Sequence, residues 1–155
     1  MDDLDVVVAE ENFAADQLIA SMTKARLDTG AVATFIGYVR EGDTPEKLDA
    51  MVLEHYPAMT AKALQNIAKQ ASQRWGLLAV RIYHRVGTLK PGEQIVFVGV
   101  ASRHRHAAFQ ACEFIMDFLK TEAPFWKKEI RNGQGAWVDA RDSDHSARER
   151  WLREP

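Results

Sequence analysis

Between Gln94 and Arg131 an apolar strand runs straight into a helix with two apolar stripes, and any fold containing that unit must cover both faces of the strand. Ile95-Val96-Phe97-Val98-Gly99-Val100 is rich in β-branched residues and has no polar alternation, the pattern of a strand buried on both sides. The helix predicted to follow, about His106 to Glu122, places Ala108, Cys112, Ile115 and Leu119 on one stripe. Ala111, Phe114 and Phe118 form the next, and Gln110, Glu113, Asp117 and Lys120 mark the polar side. Pro124 stops it, because the residue before a proline is pushed out of the helical region. Phe125-Trp126-Lys127-Lys128-Glu129 comes next, read as a lysine pair beside a buried Trp126.

Where the strand hands over to the helix stand Arg103-His104-Arg105-His106. A helix start already carries partial positive charge and unpaired N–H groups, so cations there are disfavoured unless an anion sits among them. Lys120 lies at the other end, where the helix dipole favours a cation, and Asp117 three residues earlier is an ordinary partner for it. Singly these residues have bland explanations. Together they place a basic cluster on a hydrophobic strand–helix unit, as an anion site requires.

The remaining chain supplies the cover. Asp5 to Glu10 reads as a short strand, Ala14 to Arg26 as a helix, and Ala31 to Val39 as a strand with Gly37 marking a bulge or close approach. Arg40 follows where that strand ends, and Glu41 to Asp49 is a polar loop. Met51 to Tyr56 alternates as a half-buried strand, and Pro57 opens a helix to Trp75 that Gly76 closes. Leu78 to Val86 alternates again, and Gly87 to Glu93 is a turn into the buried strand. Gly133 and Gly135 bracket another turn before the short strand Ala136-Trp137-Val138, and a charged tail with a possible helix begins at Asp139. Strands and helices alternate without a strict βαβ rhythm. The expectation is an α+β single domain, residues 1–155, with a mixed or antiparallel sheet and packed helices.

Composition excludes several classes. No apolar run approaches the ~20 residues of a membrane span, and the acidic N-terminus is unlike a signal peptide. One cysteine, Cys112, excludes an intrachain disulfide and fits a reducing cytoplasm. A net charge of −2 argues against a dedicated nucleic-acid binder. The charge is unevenly spread: residues 1–56 hold twelve Asp/Glu and four Lys/Arg, whereas residues 81–131 hold nine Lys/Arg, three His and five Asp/Glu. A positive cavity on a neutral body, or complementary patches for a partner, follows from that asymmetry.

His104-x-His106 supplies two of the three or four ligands of a zinc site, and His55, His84 and His145 come with no Cys or carboxylate at ligand spacing, so no metal is expected. Cys112 sits on the apolar stripe, where a thiol is inert packing. Nucleotide-binding loops and a serine nucleophile elbow are absent from the sequence. What survives is an anion site drawn from Arg40, His104, Arg105, Lys120, Lys127 and Lys128. Each charge-assisted hydrogen bond to a phosphate contributes about 1.5–3 kcal/mol, so three or four give micromolar binding. The residues by themselves point to a phosphate or carboxylate ligand, with one or two lysines as candidate catalysts.

Eight segments in order resemble the large, catalytic subunit of the molybdopterin synthase family. They are Thr34-Phe35-Ile36-Gly37 leading to Arg40, Leu53-Glu54-His55-Tyr56-Pro57, His84-Arg85-Val86-Gly87, Val96-Phe97-Val98-Gly99-Val100, His104-Arg105, Phe114-Ile115-Met116-Asp117, Leu119-Lys120, and Ala123-Pro124-Phe125-Trp126-Lys127-Lys128-Glu129. The resemblance implies an α/β-hammerhead fold and a homodimer of this chain within a heterotetramer. At each end would sit a small ubiquitin-like sulfur-carrier subunit whose Gly-Gly terminus bears a thiocarboxylate. It implies sulfur transfer to cyclic pyranopterin monophosphate, opening the cyclic phosphate and forming the dithiolene, with no cofactor. Lys120 and Lys127 match the essential lysines. Arg40, His104, Arg105 and Lys128, with Tyr38 and Val39, match substrate-binding positions, and Arg141 matches an arginine reaching into the neighbouring subunit's pocket. Tyr38, Glu41 and Arg103 depart from residues common in that family. A different class, a non-catalytic binder of a phosphorylated metabolite or RNA, would use the same basic cleft and the exposed Phe125-Trp126 region.

Overall fold

The computed structural model describes residues 3–42, 45–138 and 142–153. In chain order it runs β1 (Leu4–Ala9), α1 (Ala15–Thr23), β2 (Ala31–Tyr38), β3 (Leu48–His55), α2 (Pro57–Trp75) and β4 (Ala79–Arg85). It continues through β5 (Gly87–Leu89), β6 (Gln94–Ser102), α3 (Arg105–Glu122), β7 (Phe125–Arg131), β8 (Gln134–Val138) and α4 (Asp142–Arg153).

Two sheets result, the first ordered β1-β4-β6-β2 and the second β5-β3-β7-β8. β6 sits inside the first sheet and is antiparallel to both neighbours, while β1 lies parallel to β4 at its far side. The expected two-sided burial of β6 is met. Val96, Val98 and Val100 face α2 and α3, joining Leu64, Ile67, Ala111 and Ile115 in one core. Phe97 and Ala101 face the other way, toward α1 and its buried Met22. A Cβ on Gly99 would meet the Met22 side chain and the Phe97 ring at 2.7 Å, so glycine is what lets α1 approach. Each fully buried large side chain here contributes about 1.5–3 kcal/mol.

The helix ends follow the chemistry of their residues. Pro57 needs no backbone N–H at the first helical position of α2. Gly76 closes that helix in the left-handed region (φ 60°), its N–H bonded to the Ser72 carbonyl at 2.8 Å. The expected bulge at Gly37 is present, since the β2–β6 register shifts between Gly37 and Tyr38.

Three expectations need correcting. Gly87 to Glu93 is not all turn: Gly87–Leu89 pairs with β3 as an edge strand before Pro91-Gly92 turns the chain. β3 begins at Leu48, three residues earlier than its alternation indicated. The residues after Pro124 form a full strand, β7, paired on both sides, and of the two readings of Trp126 the exposed one holds, at 41%. Its hairpin to β8 turns through Asn132-Gly133, both at positive φ (50° and 75°), as a tight two-residue turn demands. Val39, Leu48, Met51, Leu53, Val86 and Leu89 fill the core beneath this second sheet, and Phe125 packs against both this core and the larger one.

Gly30 sits where β2 begins, its N–H bonded to the Ser102 carbonyl at 2.9 Å. A Cβ there would overlap the Arg103 carbonyl, a backbone atom that no rotamer change can move. Gly30→Ala is therefore expected to cost about 1–3 kcal/mol in urea unfolding and to displace the entry into α3. An unchanged urea midpoint would show that the backbone at 103 yields freely.

Candidate functional site at the C-terminal end of helix α3

β6 and α3 run in opposite directions, with Cys112 at mid-helix against the Val98 carbonyl. The C-terminal turn of α3 therefore lies near the start of β6. Strand pairing puts Tyr38 opposite Gln94 and His84 opposite Val96, at that same end. Lys120, His84 and the Tyr38–Arg40 segment thus share one end of the first sheet. His104 and Arg105 stand at the other. Fifteen residues of helix separate Arg105 from Lys120, about 22 Å at 1.5 Å per residue. One copy of the chain does not bring these two groups together.

β7 divides the lysine pair. Phe125, Lys127 and Glu129 alternate with Trp126, Lys128 and Ile130. Lys127 lies opposite Leu53 and shares its face with Phe125 and His55, the face over the second-sheet core. Lys128 lies opposite Val52 and Trp137 on the outer face, with its Nζ 5.3 Å from the Trp137 ring centroid. Within one chain the period of two turns Lys128 away from the face that Lys127 shares with Phe125 and His55. Trp126 is on that outer face too, edge-on to Tyr56 at 4.6 Å.

Tyr38 and Arg40 are exposed, but Val39 is 3% exposed. Its N–H donates to the Glu93 carbonyl at 2.9 Å and its carbonyl accepts from Gly92 at 2.7 Å. Val39 therefore offers a ligand no polar group, and its part is to lock the two residues flanking it. Arg141 lies outside the described residues.

Sequence reasoning passed over a ring stack at this end. His84 is 5% exposed and lies on the Phe125 ring, centroids 3.8 Å apart and planes at 16°. His55 approaches Phe125 at 6.2 Å, and its Nδ1 is buried with no hydrogen-bond partner among the described residues. The His84 Nδ1 is 2.7 Å from the Arg85 carbonyl. A carbonyl only accepts, so Nδ1 carries the proton and Nε2 is bare. Burial, chiefly, pushes the imidazole pKa down to about 4, with the Lys120 and His55 charges adding to the lowering and the Arg85 carbonyl opposing it.

An acid limb in stability follows. The folded ring titrates near 4 and the unfolded one near 6.5, so between these values the unfolded chain binds the extra proton. Stability contributed above pH 6.5 is lost as pH falls toward 4, by about 3 kcal/mol in all. Urea midpoints across that window are expected to fall in the native chain and to flatten in His84→Phe. Equal slopes in the two would remove His84 as the cause.

A largely apolar groove of about 410 Å³ runs along the middle of α3 against β2, walled by Phe35, Phe109, Cys112 and Met116, with Glu113 also in its lining. Lys120 follows Met116 by one helical turn. β2 is the last strand of its sheet among the described residues, so the groove borders a strand edge without a neighbouring strand. The Cys112 thiol in the wall is pushed up to about 11 by burial, and a thiol so held is a poor nucleophile. His104 and His106 are exposed, and among the described residues no three His, Cys, Asp or Glu side chains converge as a metal site would need.

The family model described as MoaE protein matches residues 8–122. The molybdopterin synthase catalytic subunit of Vibrio cholerae is 49% identical over 146 residues, covering 94% of this chain and 97% of that protein. The solved molybdopterin biosynthesis MoaE protein from Burkholderia ambifaria superposes with a TM-score of 0.82 at 44% identity, covering 99% and 100% of the two chains. A chain of the Helicobacter pylori complex of subunits 1 and 2 of molybdopterin-converting factor shares the fold at 18% identity, with a TM-score of 0.71 and 89% and 91% covered. A family model spanning most of the sequence and a relative matched over nearly its full length agree with the strand–helix unit and its basic end: the chain belongs to the MoaE family.

Proposed function

We propose that this chain is the catalytic subunit of a molybdopterin synthase, moving sulfur from the terminal thiocarboxylate of a small carrier protein to cyclic pyranopterin monophosphate. The observation that carries the reading is the siting of Lys120 and Lys127. Lys120 leaves the end of α3, one helical turn after Met116 of the groove wall, and Lys127 lies on the inner face of β7 with Phe125 and His55.

The chemistry needs charge stabilisation more than redox power. A thiocarboxylate is an anion, and so is the phosphate of the pterin. In each transfer the thiocarboxylate sulfur bonds to a pterin side-chain carbon. The carrier's acyl group then passes to water, and the carrier leaves with a carboxylate in place of the thiocarboxylate. Two transfers make the dithiolene. Lys120, one helical turn beyond Met116, holds the carrier's terminal charge, and Lys127 meets the charge that develops as the bonds exchange. Arg40, at the same end of the sheet, takes the phosphate in this reading.

Subunit contacts complete the site in this proposal. The ~22 Å along α3 far exceeds the hydrogen-bond reach of one small ligand. His104 and Arg105 therefore serve the pocket of a second copy, as Arg141 would, within a dimer that carries one small subunit at each end. The Helicobacter pylori complex, which pairs a chain of this fold with a second subunit, supports a small-subunit partner. Among the described residues no helix is long and apolar enough to cross a membrane, and the proposed setting is the cytoplasm.

Mixing the purified chain with a thiocarboxylated Gly-Gly carrier and the cyclic pterin is expected to yield dithiolene product and carrier carboxylate in a ratio of one to two. No product, with RNA retained by the chain at low salt and released steeply as salt rises, would replace this reading with the binding-module one.

A further inference from the structure

We propose that Arg131 is a positioning residue for Arg40: by holding the carbonyls of Glu41 and Glu46 in one guanidinium fork, it fixes the segment from which Arg40 reaches the pterin phosphate. This inference rests on the sulfur-transfer reading, in which Arg40 takes that phosphate, and adds to it a residue that touches neither carrier nor pterin.

Arg40 stands between two clamps. On one side, Val39 is tied through its N–H to the Glu93 carbonyl and through its own carbonyl to the Gly92 N–H. On the other, Arg131 Nη2 donates to the Glu41 carbonyl at 3.2 Å and Nη1 to the Glu46 carbonyl at 2.6 Å. Nη2 also meets Glu129 Oε2 at 3.2 Å, an ion pair that matches the guanidinium charge and aims its plane. Gly42 turns the chain at φ 86°, and a Cβ built there would stand 3.4 Å from Nη2, so the backbone passes directly beside the guanidinium. The turn after β7 grips the same connection farther along, where the Gly133 N–H donates to Asp49 Oδ2 at 3.3 Å.

Stability does not account for the fork. Glu41 and Glu46 are exposed, and water would serve their carbonyls nearly as well. What the two bonds supply is geometry. A guanidinium presents its donors in one rigid plane, so carbonyls five residues apart are set relative to each other and to β7. Arg131 also continues the inner row of Phe125, Lys127 and Glu129. Lys127 lies four residues back, about 13 Å along the strand. One strand thus carries the lysine that meets the developing charge and fixes the backbone beside the arginine that takes the phosphate. Misplacing a substrate-positioning group by an ångström can cost about a hundredfold in rate.

The test uses the full chain. Arg131→Ala is expected to weaken binding of cyclic pyranopterin monophosphate, measured by calorimetry without carrier, by about tenfold. With carrier present the pterin KM rises in step and kcat stays within about threefold. Arg131→Lys keeps the charge but cannot span two carbonyls in one plane, so it stays at least about fivefold weak. In an Arg40→Ala background, Arg131→Ala weakens binding by less than about twofold, because its effect runs through Arg40. In the free chain the order parameters of the Glu41 and Gly42 amides fall from about 0.85 to below about 0.6. Native pterin affinity in Arg131→Ala, the full loss persisting in the Arg40→Ala background, or unmoved order parameters would each overturn the proposal. So would a urea midpoint that drops in step with affinity, which would make Arg131 a residue of the fold alone. If Arg131→Ala does not fold, Arg131→Lys replaces it in every comparison. Order and affinity need no product, so their failure is distinguishable from failure of the native chain to transfer sulfur.

Discussion

Lys120→Ala and Lys127→Ala are each expected to lower kcat by about 10²–10³-fold while the carrier still binds within a few-fold of its native affinity. Removing one preorganised charge from where negative charge develops costs about 3–4 kcal/mol of transition-state stabilisation. Ground-state binding of the carrier is spread over a whole interface and is far less sensitive. Lys120 is exposed, so its loss disturbs the fold by no more than about 0.5 kcal/mol, and a drop in turnover is not a drop in folded protein. Lys128→Ala is the internal control. Its side chain lies on the outer face over Trp137, and a change below about threefold is expected unless a second copy brings it back to the pocket. The double variant, Lys120→Ala with Lys127→Ala, should fall little further than either single one, because the two act on one developing charge. Single-turnover rates and carrier titrations decide the matter. Equal losses of carrier affinity and rate in all three single variants would mean a binding patch, not a catalytic pair.

Much of this was legible in the sequence, for reasons that can be traced. The unbroken apolar run at 95–100 and the stripes through Ala108, Cys112, Ile115 and Leu119 are strong periodic signals, and both became the centre of the fold. Even the separation of Arg105 from Lys120 was present there, since a helix of known rise fixes it. The opposite facing of Lys127 and Lys128 had no local signal, because Pro124 marks a helix stop and not the strand that follows. Once 125–131 is a strand, adjacent lysines must point apart. The ring stack escaped for another reason. His55, His84 and Phe125 are far apart in sequence; strand pairing joins His55 to Phe125, and only the packing of the two sheets lays His84 on that ring. The pairing of β1 with β4, across some seventy residues, has no local signal at all.

Trp151→Ala, at the α4 end of the larger core, is expected to cost about 3–5 kcal/mol. The indole is 4% exposed at the junction of α4 with α2 and α3. It meets Trp75 and Phe114 edge-on at 5.7 and 5.6 Å, and the Arg74 guanidinium lies 5.4 Å from its centroid. Its Nε1–H donates to Asp117 Oδ2 at 2.6 Å. Asp117 needs that donor: burial, chiefly, holds its carboxyl above the usual range, the Glu113 charge adds to the effect, and the indole N–H opposes it. Truncation therefore removes packing and weakens a half-buried carboxylate at once. Trp151→Phe separates the two effects. It refills most of the space and leaves Asp117 without its donor, for an expected cost of about 1–2 kcal/mol. In thermal unfolding the alanine variant should lose about 10 °C and the phenylalanine variant a third of that. A loss below about 1 kcal/mol in Trp151→Ala would mean that α4 is a surface appendage. A large loss ties α4 to the buried side of α3, the helix that carries Lys120, and makes the chain's last helix part of what holds the site still.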